Sequence, residues 1–278
     1  MAKPVTGPVR TVERLAWRAG RFTSGERVIA EETAVAFTYN GTSYAVMMAT
    51  PQDLEDFAVG FTVTEGIVTT PAEIESLEVL ELEAGIELQM RLTEDRAGAL
   101  AARRRYLAGP TGCGLCGIES LTEAMRPLSP LADHVAVSPR DIMRASGALS
   151  ELQIINQQTR AVHGAAFYRP ADDSLIMRED VGRHNALDKL CGALLRDNVS
   201  RQSGFALVTS RLSIEMIQKA VVVGIPILVA VSAPTALAVQ AAEAAGMTLV
   251  AVARSDGFEI FTHPERIKEE RSLHVVAG

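Results

Sequence analysis

The chain has 278 residues, a length that fits one large domain or two smaller ones. Hydrophobic residues make up 47% of it and charged residues 22%, which is typical of a folded globular protein and excludes an intrinsically disordered chain. The net charge of -7 argues against a general affinity for nucleic acid or for an anionic membrane surface.

The apolar stretches and the cysteines indicate the compartment. The most apolar run, Ala220 to Val231, is interrupted by Gly224 and Pro226 and is shorter than the roughly 18 residues that a membrane-spanning helix needs. Residues 1–17 carry charges and lack the continuous apolar core of a secretory signal. Three cysteines, an odd number, do not indicate a disulfide framework. We therefore expect a cytoplasmic protein with reduced thiols.

Residues 1–110 are expected to form a β-rich lobe. Asn40-Gly41 is a strong hairpin signal. It is flanked by two β-rich runs, Val28 to Tyr39 and Tyr44 to Ala49. A proline just after Thr50 predicts the start of a helix that runs from Asp53 to about Glu65. Alternating polar and apolar residues from Glu75 to Leu92 predict a second hairpin.

Residues 138–278 are expected to form an α/β region, with residues 111–137 connecting it to the first lobe. Ser138-Pro139 predicts a helix start. A hairpin of two strands follows, His163 to Tyr168 and Leu175 to Arg178, and then a helix from Val181 to Leu195. The remaining predicted elements are strand Phe205–Thr209, helix Ser213–Val223, strand Ile227–Val231, helix Thr235–Ala245 and strand Thr248–Ala253. Such alternation favours a largely parallel or mixed sheet.

Cys113 and Cys116 are separated by two residues within a glycine-rich segment, residues 112–117. If a helix starts just after them, its amides would lower the thiol pKa and favour the nucleophilic thiolate. One cysteine could then hold a sulfur atom as a persulfide while the other attacks it. Metal binding and a structural role remain as alternatives, although three cysteines cannot build a Cys₄ zinc site within one chain. Cys191 is expected to be a buried packing residue.

Three further segments carry candidate ligands for an anion. In the polar run from Glu179 to Lys189, Asp180 is expected to cap a helix whose free amides, with Arg183 and Lys189, could receive a phosphate. A capped helix with a surface salt-bridge cluster explains this run equally well. Ser210 and Arg211, and residues 252–257, follow predicted strands, where α/β sheets bind ligands. Ordinary turns between strands and helices have the same composition.

These motifs together resemble the formate dehydrogenase accessory sulfurtransferase family, FdhD. The motifs that carry the resemblance are Thr111 to Gly117, Glu179 to Lys189, Ser210 to Met216, Asp53 to Gly66 and Thr262 to Arg266. The resemblance implies a cytoplasmic, homodimeric protein. It would take sulfur from a cysteine desulfurase and pass it to the molybdenum cofactor, bis-molybdopterin guanine dinucleotide, before that cofactor enters formate dehydrogenase.

The resemblance also assigns roles to residues. Cys113 matches the cysteine that carries the persulfide, and Cys116 matches its partner. The turn that binds the guanine dinucleotide corresponds to residues 252–257. With the candidates already named, the expected cofactor-binding residues are Arg183, His184, Ser210, Arg211, Val252, Ala253, Arg254, Ser255, Asp256 and Gly257.

The resemblance finally implies a fold, α/β, with a cytidine deaminase-like three-layer C-terminal domain and a smaller β-rich N-terminal lobe. Zinc is not expected, because a deaminase needs zinc ligands and a glutamate proton shuttle, whereas the corresponding helix start reads Arg183-His184-Asn185. Two alternative functions remain. One is a chaperone that binds the molybdenum cofactor without moving sulfur, and the other is a zinc-dependent nucleoside deaminase.

Overall fold

The computed structural model describes residues 7–107, 128–131 and 135–269, and the side chains of all of these except 101–107. The strands are β1 (Val9–Arg18), β2 (Arg21–Ala30), β3 (Thr33–Tyr39), β4 (Thr42–Ala49), β5 (Ile74–Leu82), β6 (Gly85–Leu92), β7 (His163–Arg169), β8 (Ser174–Asp180), β9 (Phe205–Val208), β10 (Ile227–Ala230), β11 (Thr248–Arg254) and β12 (Gly257–Thr262). The helices are α1 (Leu54–Thr64), α2 (Glu94–Leu107), α3 (Pro139–Leu152), α4 (Ile154–Thr159), α5 (Arg183–Arg196), α6 (Ile214–Val223) and α7 (Ala236–Ala244).

The strands of the described residues form three sheets. The hairpin β1–β2 stands by itself, a second sheet has the order β4-β3-β6-β5, and a third has the order β12-β11-β10-β9-β7-β8. In the third sheet β9, β10 and β11 are parallel, while β7 is antiparallel to both of its neighbours. The predicted α/β class, the mixed sheet and all three predicted hairpins are therefore confirmed.

The hairpin β1–β2 was not anticipated by the sequence analysis, which treated Val28 to Tyr39 as one run. The run is broken, because β2 ends at Ala30 and β3 begins at Thr33. The turn between β1 and β2 is made by Ala19 and Gly20, which both adopt positive φ angles of 48° and 76°. Glycine takes this conformation without steric cost, which explains why the chain reverses here.

Helices cover both faces of the six-stranded sheet. On one face, apolar residues of α5, α6 and α7 pack against the sheet in a large core that also includes Phe37 and Phe57 of the first lobe. On the other face, Ile142, Ala145 and Leu149 of α3 pack against the alternate residues of the same strands. The predicted start of α3 is confirmed by a capping box, in which Asp141 and Ser138 bond to each other's backbone amides.

Two glycines let α1 of the first lobe lie directly against α5. A Cβ atom on Gly60 would lie 1.7 Å from the carbonyl oxygen of Asp188, and one on Gly192 would lie 1.8 Å from that of Asp56. Only hydrogen fits at either position, so the two helix backbones can touch. The loop before α1 is held beside the start of α5 by hydrogen bonds from Thr50 N to Asp180 at 3.0 Å and from Val181 N to the hydroxyl of Thr50 at 3.1 Å. No helix among the described residues is long and apolar enough to cross a membrane.

Candidate functional site

One edge of the six-stranded sheet collects most of the predicted ligand-binding residues. Strands β8, β9, β10 and β11 run in the same direction, so their carboxyl ends lie along a single edge. Backbone hydrogen bonds join the segment after β10 to both neighbouring strands, from Val231 N to Val208 O of β9 at 3.0 Å and from Val252 N of β11 to Ser232 O at 3.2 Å. Three strands separate β8 from β11, so the edge spans about 19 Å at roughly 4.8 Å per strand.

Most charged side chains in the run from Glu179 to Lys189 form hydrogen bonds or ion pairs with other groups of the protein. Lys189 and Asp180 are completely buried, with Lys189 Nζ 2.7 Å from Asp180 Oδ2. Lys189 also donates to the carbonyl oxygen of Thr50 at 2.8 Å. Lys189 therefore cannot receive an external phosphate, and the idea that this run forms a surface salt-bridge cluster is wrong as well. Desolvation by burial lowers the pKa of Lys189.

Asp180 does not occupy the N-cap position that the sequence analysis gave it. The N-cap of α5 is Gly182, and Asp180 lies two residues earlier. There its carboxylate accepts hydrogen bonds from the amide of Gly182 at 2.8 Å and from the amide of Thr50 at 3.0 Å. Asp180 therefore ties the approach to α5 to the segment before α1, and it leaves the first turn of the helix without a side-chain cap.

A second buried ion pair joins three helices. Lys219 of α6 lies 3.0 Å from the carboxylate of Asp188 in α5, and Asp188 also accepts a 2.6 Å hydrogen bond from Thr64 of α1. Lys219 further pairs with Glu65 at 2.7 Å. The charges of Asp188 and Glu65 raise the pKa of Lys219 against the opposing effect of its burial. The acidic and basic residues of these motifs are thus mainly architectural.

Arg183 and His184 are the residues of this run that have side-chain nitrogen atoms outside these internal contacts. Arg183 Nε and His184 Nε2 are buried atoms without a hydrogen-bond partner in the described part of the chain. Both residues lie in the first turn of α5, whose free amides favour an anion. Burial, followed by the charge of Arg183, lowers the pKa of His184 to about 4. His184 is therefore neutral near pH 7 and can exchange hydrogen bonds without adding charge.

His163 joins this end of the edge, although the sequence analysis assigned it no functional role. It begins β7 and pairs directly with Asp180 across the β7–β8 ladder. Burial lowers its pKa, and the nearby charge of Arg183 lowers it further. A signal existed in the sequence, because the first residue of an antiparallel strand lies at the same edge as the last residue of the strand that pairs with it.

The middle of the edge is formed by the segment after β9. The hydroxyl of Ser210 is directed inward and bonds the carbonyl oxygen of Arg211 at 3.1 Å. Thr209 accepts a 2.9 Å hydrogen bond from the amide of Gly164, which fixes this segment against β7. Arg211 is exposed. Of the two predicted residues here, Arg211 presents its side chain to solvent and Ser210 is buried.

The far end of the edge is the turn between β11 and β12, residues 252–257. Val252 has a φ angle of 54°, which a β-branched side chain rarely adopts, and the ladder loses its regular register between Ala251 and Arg254. Arg254, Ser255 and Asp256 are exposed. Ala253 is buried in the core against α3, so only its backbone is available to a ligand.

The cysteines divide into two groups. Cys113 and Cys116 lie outside the described residues. Cys191 is completely buried in the core, and burial raises the pKa of its thiol, which confirms the predicted packing role. Within the described ranges, no group of three or more histidine, cysteine, aspartate or glutamate side chains is arranged to hold a metal ion.

Comparison with known proteins places this arrangement among its relatives. Residues 30–268 match the model of the FdhD/NarQ family. A protein of Agrobacterium fabrum named sulfur carrier protein FdhD is 53% identical over 264 residues, which cover 95% of this chain and 97% of that protein. A protein of Brucella abortus with the same name is 51% identical and covers 94% of this chain and 97% of its own length.

A solved structure supports the same grouping. The crystal structure of a candidate formate dehydrogenase accessory protein from Desulfotalea psychrophila superposes with a TM-score of 0.73 at 26% identity. The match covers 94% of this chain and 99% of the other. Because the family model, the relatives and the solved structure each cover most of its length, the chain belongs to the FdhD/NarQ family.

Proposed function

We propose that the protein is a sulfur carrier in the maturation of formate dehydrogenase. It accepts a sulfur atom on Cys113 from a cysteine desulfurase and passes it to the molybdenum cofactor, bis-molybdopterin guanine dinucleotide. The observation that carries this proposal is the 53% identity to a protein named sulfur carrier protein FdhD. The pair Cys113 and Cys116 supplies the chemistry that such a role requires.

The transfer is an exchange between thiols and persulfides. The thiolate of Cys113 attacks the outer sulfur of the desulfurase persulfide, so that the desulfurase cysteine leaves as a thiolate and Cys113 becomes a persulfide. Cys116 then attacks the inner sulfur of Cys113, which forms a Cys113–Cys116 disulfide and releases sulfide. The two cysteine thiols supply the two electrons. A dithiol reductant, of the class that reduces cytoplasmic disulfides, restores the pair.

The sheet edge is the proposed binding surface for the cofactor. At one end, Arg183 and the free amides of α5 would receive a phosphate, with His184 as an uncharged neighbour. Arg211 lies midway, and Arg254 with the turn at residues 252–257 forms the other end. An edge of about 19 Å suits an elongated ligand with a nucleotide at each end. The buried, unpartnered Arg183 Nε and His184 Nε2 support a polar ligand at this place.

The proposal also includes the division of the chain into domains, the cellular compartment, the oligomeric state and the partners. Residues 138–278 would form a cytidine deaminase-like domain, which the order of helix, hairpin and then alternating helices and strands supports. Residues 1–110 would form the N-terminal lobe and residues 111–137 the connection that carries the cysteines. The protein would act in the cytoplasm as a homodimer, with a cysteine desulfurase and formate dehydrogenase as partners and without nucleic acid, membrane or zinc.

Mass spectrometry tests the sulfur step directly. After incubation with a cysteine desulfurase and cysteine, the peptide with Cys113 should gain about 32 Da, the mass of one sulfur atom in a persulfide. Cys113→Ala should abolish the gain, and Cys116→Ala should preserve it because the attacking thiol is missing. Cys191→Ala, which removes a buried thiol, is the matched control and should react as the wild type does. A Cys116→Ala protein without the adduct would refute the proposal, because this variant lacks the thiol that removes the sulfur from Cys113.

The same measurement separates the two alternatives. A cofactor chaperone that moves no sulfur would bind the cofactor without ever carrying the adduct. A nucleoside deaminase would contain stoichiometric zinc and release ammonia from a nucleoside. Purified protein with bound zinc and no sulfur uptake would favour that alternative.

A further inference from the structure

The hairpin β1–β2 concentrates positive charge on one of its two faces. Five arginines and two glutamates lie between Val9 and Ala30, which gives the hairpin a net charge of +3. The whole chain has a net charge of -7, so the residues outside the hairpin carry -10, the difference between these two values. The register of the ladder places all five arginines on the same face, and these are Arg10, Arg14, Arg18, Arg21 and Arg27. The hairpin is therefore opposite in charge to the body of the protein.

Two of these arginines oppose each other next to the turn. Arg18 and Arg21 are directly paired across the ladder, and both are exposed. Like charges in this arrangement destabilise a β-ribbon. Arg14 lies on the same face opposite Gly25, which has no side chain to cover it. Within the described ranges, none of these three residues, here called the arginine face, pairs with a carboxylate. An acidic group from outside the chain would relieve the repulsion.

The other two arginines hold the base of the hairpin to the body. Arg10 lies 2.6 Å from the carboxylate of Glu31, and Arg27 donates to the carbonyl oxygen of Thr159 in α4 at 3.2 Å. Neither strand has a buried residue along its ten positions. A two-stranded ribbon without a covered face is only marginally stable in water. The outer half of the hairpin, residues 13–26, would therefore be stabilised by a partner surface, and we call it the arm.

The opposite face of the arm is apolar toward its tip. Trp17 and Phe22 are paired across the ladder, with ring centroids 4.7 Å apart, and Leu15 lies beside them on the same face. These side chains are 63%, 60% and 65% exposed for Leu15, Trp17 and Phe22. Tryptophan and phenylalanine are enriched in the cores of protein interfaces. A partner that contacts both faces of the arm must therefore have one acidic and one apolar wall.

A cleft in a protein fits this two-faced arm better than a nucleic acid or an anionic membrane does. Phosphates could pair with the arginine face, but they would leave Leu15, Trp17 and Phe22 exposed on the other side of the ribbon. A long polyanion would also meet the body of the protein, which carries -10 outside the hairpin and repels it. Carboxylates on a protein satisfy arginine equally well, because they accept two parallel hydrogen bonds from one guanidinium group.

The base of the arm stands beside the candidate edge for the cofactor. Val9 at the start of β1 and Glu179 near the end of β8 line the same groove. Glu179 accepts a 2.8 Å hydrogen bond from the amide of Ile155, so α4, which holds Arg27, is fixed to the end of β8. Arg183, at one end of the edge, follows Glu179 by four residues. A protein docked on the arm is thus held next to the edge from which a bound cofactor would leave.

We propose that the arm docks the protein that receives the cofactor, by inserting into a cleft of that protein with one acidic and one apolar wall. Carboxylates of the acidic wall pair with the arginine face and remove the repulsion between Arg18 and Arg21. The identity of the partner, formate dehydrogenase without its cofactor, rests on the proposed function, whereas the chemistry of its surface rests on the arm. The arm lies outside residues 30–268, which match the family model, so sulfur uptake should not need it.

Surface plasmon resonance with formate dehydrogenase purified without its cofactor tests the arm. The double variant Arg18→Glu, Arg21→Glu should bind at least about tenfold more weakly than the wild type, because two attractive pairs become repulsive. The matched control is Arg91→Glu, Lys268→Glu, which makes the same change of charge at two exposed positions outside the hairpin and should bind as the wild type does. Circular dichroism verifies that each variant is folded. Equal affinity of the arm variant and the control would overturn the proposal.

The dependence of the affinity on salt separates the two walls of the cleft. The affinity of the wild type should fall as sodium chloride rises from about 0.05 M to about 0.5 M, because salt screens exposed charges, and the arm variant should lose this decrease. Leu15→Ser removes an apolar contact and no charge, so it should bind about threefold more weakly and keep the decrease. An affinity of the wild type that does not respond to salt would exclude the acidic wall, and unchanged binding of Leu15→Ser would exclude the apolar wall.

Two further measurements separate the docking arm from the proposed sulfur transfer and from other partners. In a Cys116→Ala background, the arm variant should gain the sulfur adduct on Cys113 as fully as the chain with an intact arm. A loss of the adduct in the arm variant alone would assign the arm to the desulfurase and overturn the proposal. No adduct in either chain, together with binding of formate dehydrogenase that needs the arm, would refute sulfur transfer and support the docking arm. A labelled single-stranded DNA oligonucleotide should not bind, and binding of this probe that is lost in the arm variant would overturn the choice of a protein partner.

Discussion

Lys189 Nζ lies 2.7 Å from Asp180 Oδ2, and both side chains are completely buried. The two residues stand on either side of the first turns of α5, and both also bond the backbone of Thr50. The pair therefore holds the segment before α1 against the start of the helix that carries Arg183 and His184. A buried ion pair of this kind is costly to break, because removal of one partner leaves an uncompensated charge in a medium of low dielectric constant.

Replacement of Lys189 by methionine should lower the free energy of unfolding by about 3 kcal/mol or more. Methionine fills a similar volume, so the loss reports the unpaired charge of Asp180 rather than a cavity. Urea denaturation measures the change. Lys268→Met, at an exposed position, should stay within about 0.5 kcal/mol of the wild type. An equally small effect of Lys189→Met would mean that Asp180 is not held as a buried carboxylate.

The fold could be predicted well where the signals were local. The hairpins around Asn40-Gly41 and between β7 and β8, the start of α3 and the alternation after β9 follow from turn residues, caps and periodicity that lie within a few residues of each other. The hairpin β1–β2 could not be predicted in this way. Its arginines alternate with apolar residues on a ribbon that buries neither face, so the usual pattern of one buried and one polar face is absent.

The candidate site was predictable in part for a similar reason. Arg211 and Arg254 were predicted because ligands bind beyond the carboxyl ends of strands, which is a rule about topology. Arg183 was predicted because it lies at a helix start, where free amides attract an anion. The internal use of Lys189 and Asp188 could not be found. Asp188 meets Thr64 across 124 positions of sequence, and no local pattern specifies such a contact.

Because of the backbone conformation at Val252, we expect a glycine variant at this position to be more stable than an alanine variant. At a φ angle of 54°, glycine is free of strain, whereas any residue with a Cβ atom pays about 1 kcal/mol. Val252→Gly should therefore be more stable than Val252→Ala by about 1 kcal/mol, measured by thermal or urea unfolding. At Arg144, exposed in the middle of α3, the order should be reversed, with glycine about 1 kcal/mol less stable than alanine. The same order at both positions would contradict the left-handed backbone at Val252.

His184 should make the protein lose stability in mild acid. Its pKa is lowered from 6.5 to about 4 by burial and by the charges of Arg183 and Lys219, against the weaker opposite effects of Glu215 and Glu65. The unfolded chain therefore binds more protons than the folded chain between these two pH values. Stability that His184 contributes is present above pH 6.5 and is lost as the pH falls toward 4, with a slope below about 1.4 kcal/mol per pH unit.

Urea unfolding between pH 7.5 and pH 4.5 measures this contribution. His184→Gln should flatten the dependence in that window, because glutamine cannot take up the proton. His263→Gln provides the contrast. Hydrogen bonds to Glu243 and Glu265 raise the pKa of His263, so its contribution is present in acid and is lost as the pH rises. The two variants should thus change the slope in opposite directions, and equal effects would exclude His184 as the acid-sensitive group.

Arg183 and Arg254 should both contribute to nucleotide binding, although they stand at opposite ends of the sheet edge. Arg254 is exposed and Arg183 Nε is buried without a partner in the described chain, so each is available to a phosphate or a guanine base. Isothermal calorimetry with guanosine diphosphate should give about tenfold weaker binding for Arg254→Ala and for Arg183→Ala, since a hydrogen bond to a charged group contributes about 1.5 kcal/mol or more. Arg91→Ala, an exposed arginine on β6, should bind as the wild type does. Unchanged affinity in both site variants would remove the edge as the nucleotide surface, and a loss in one alone would assign guanosine diphosphate to that end.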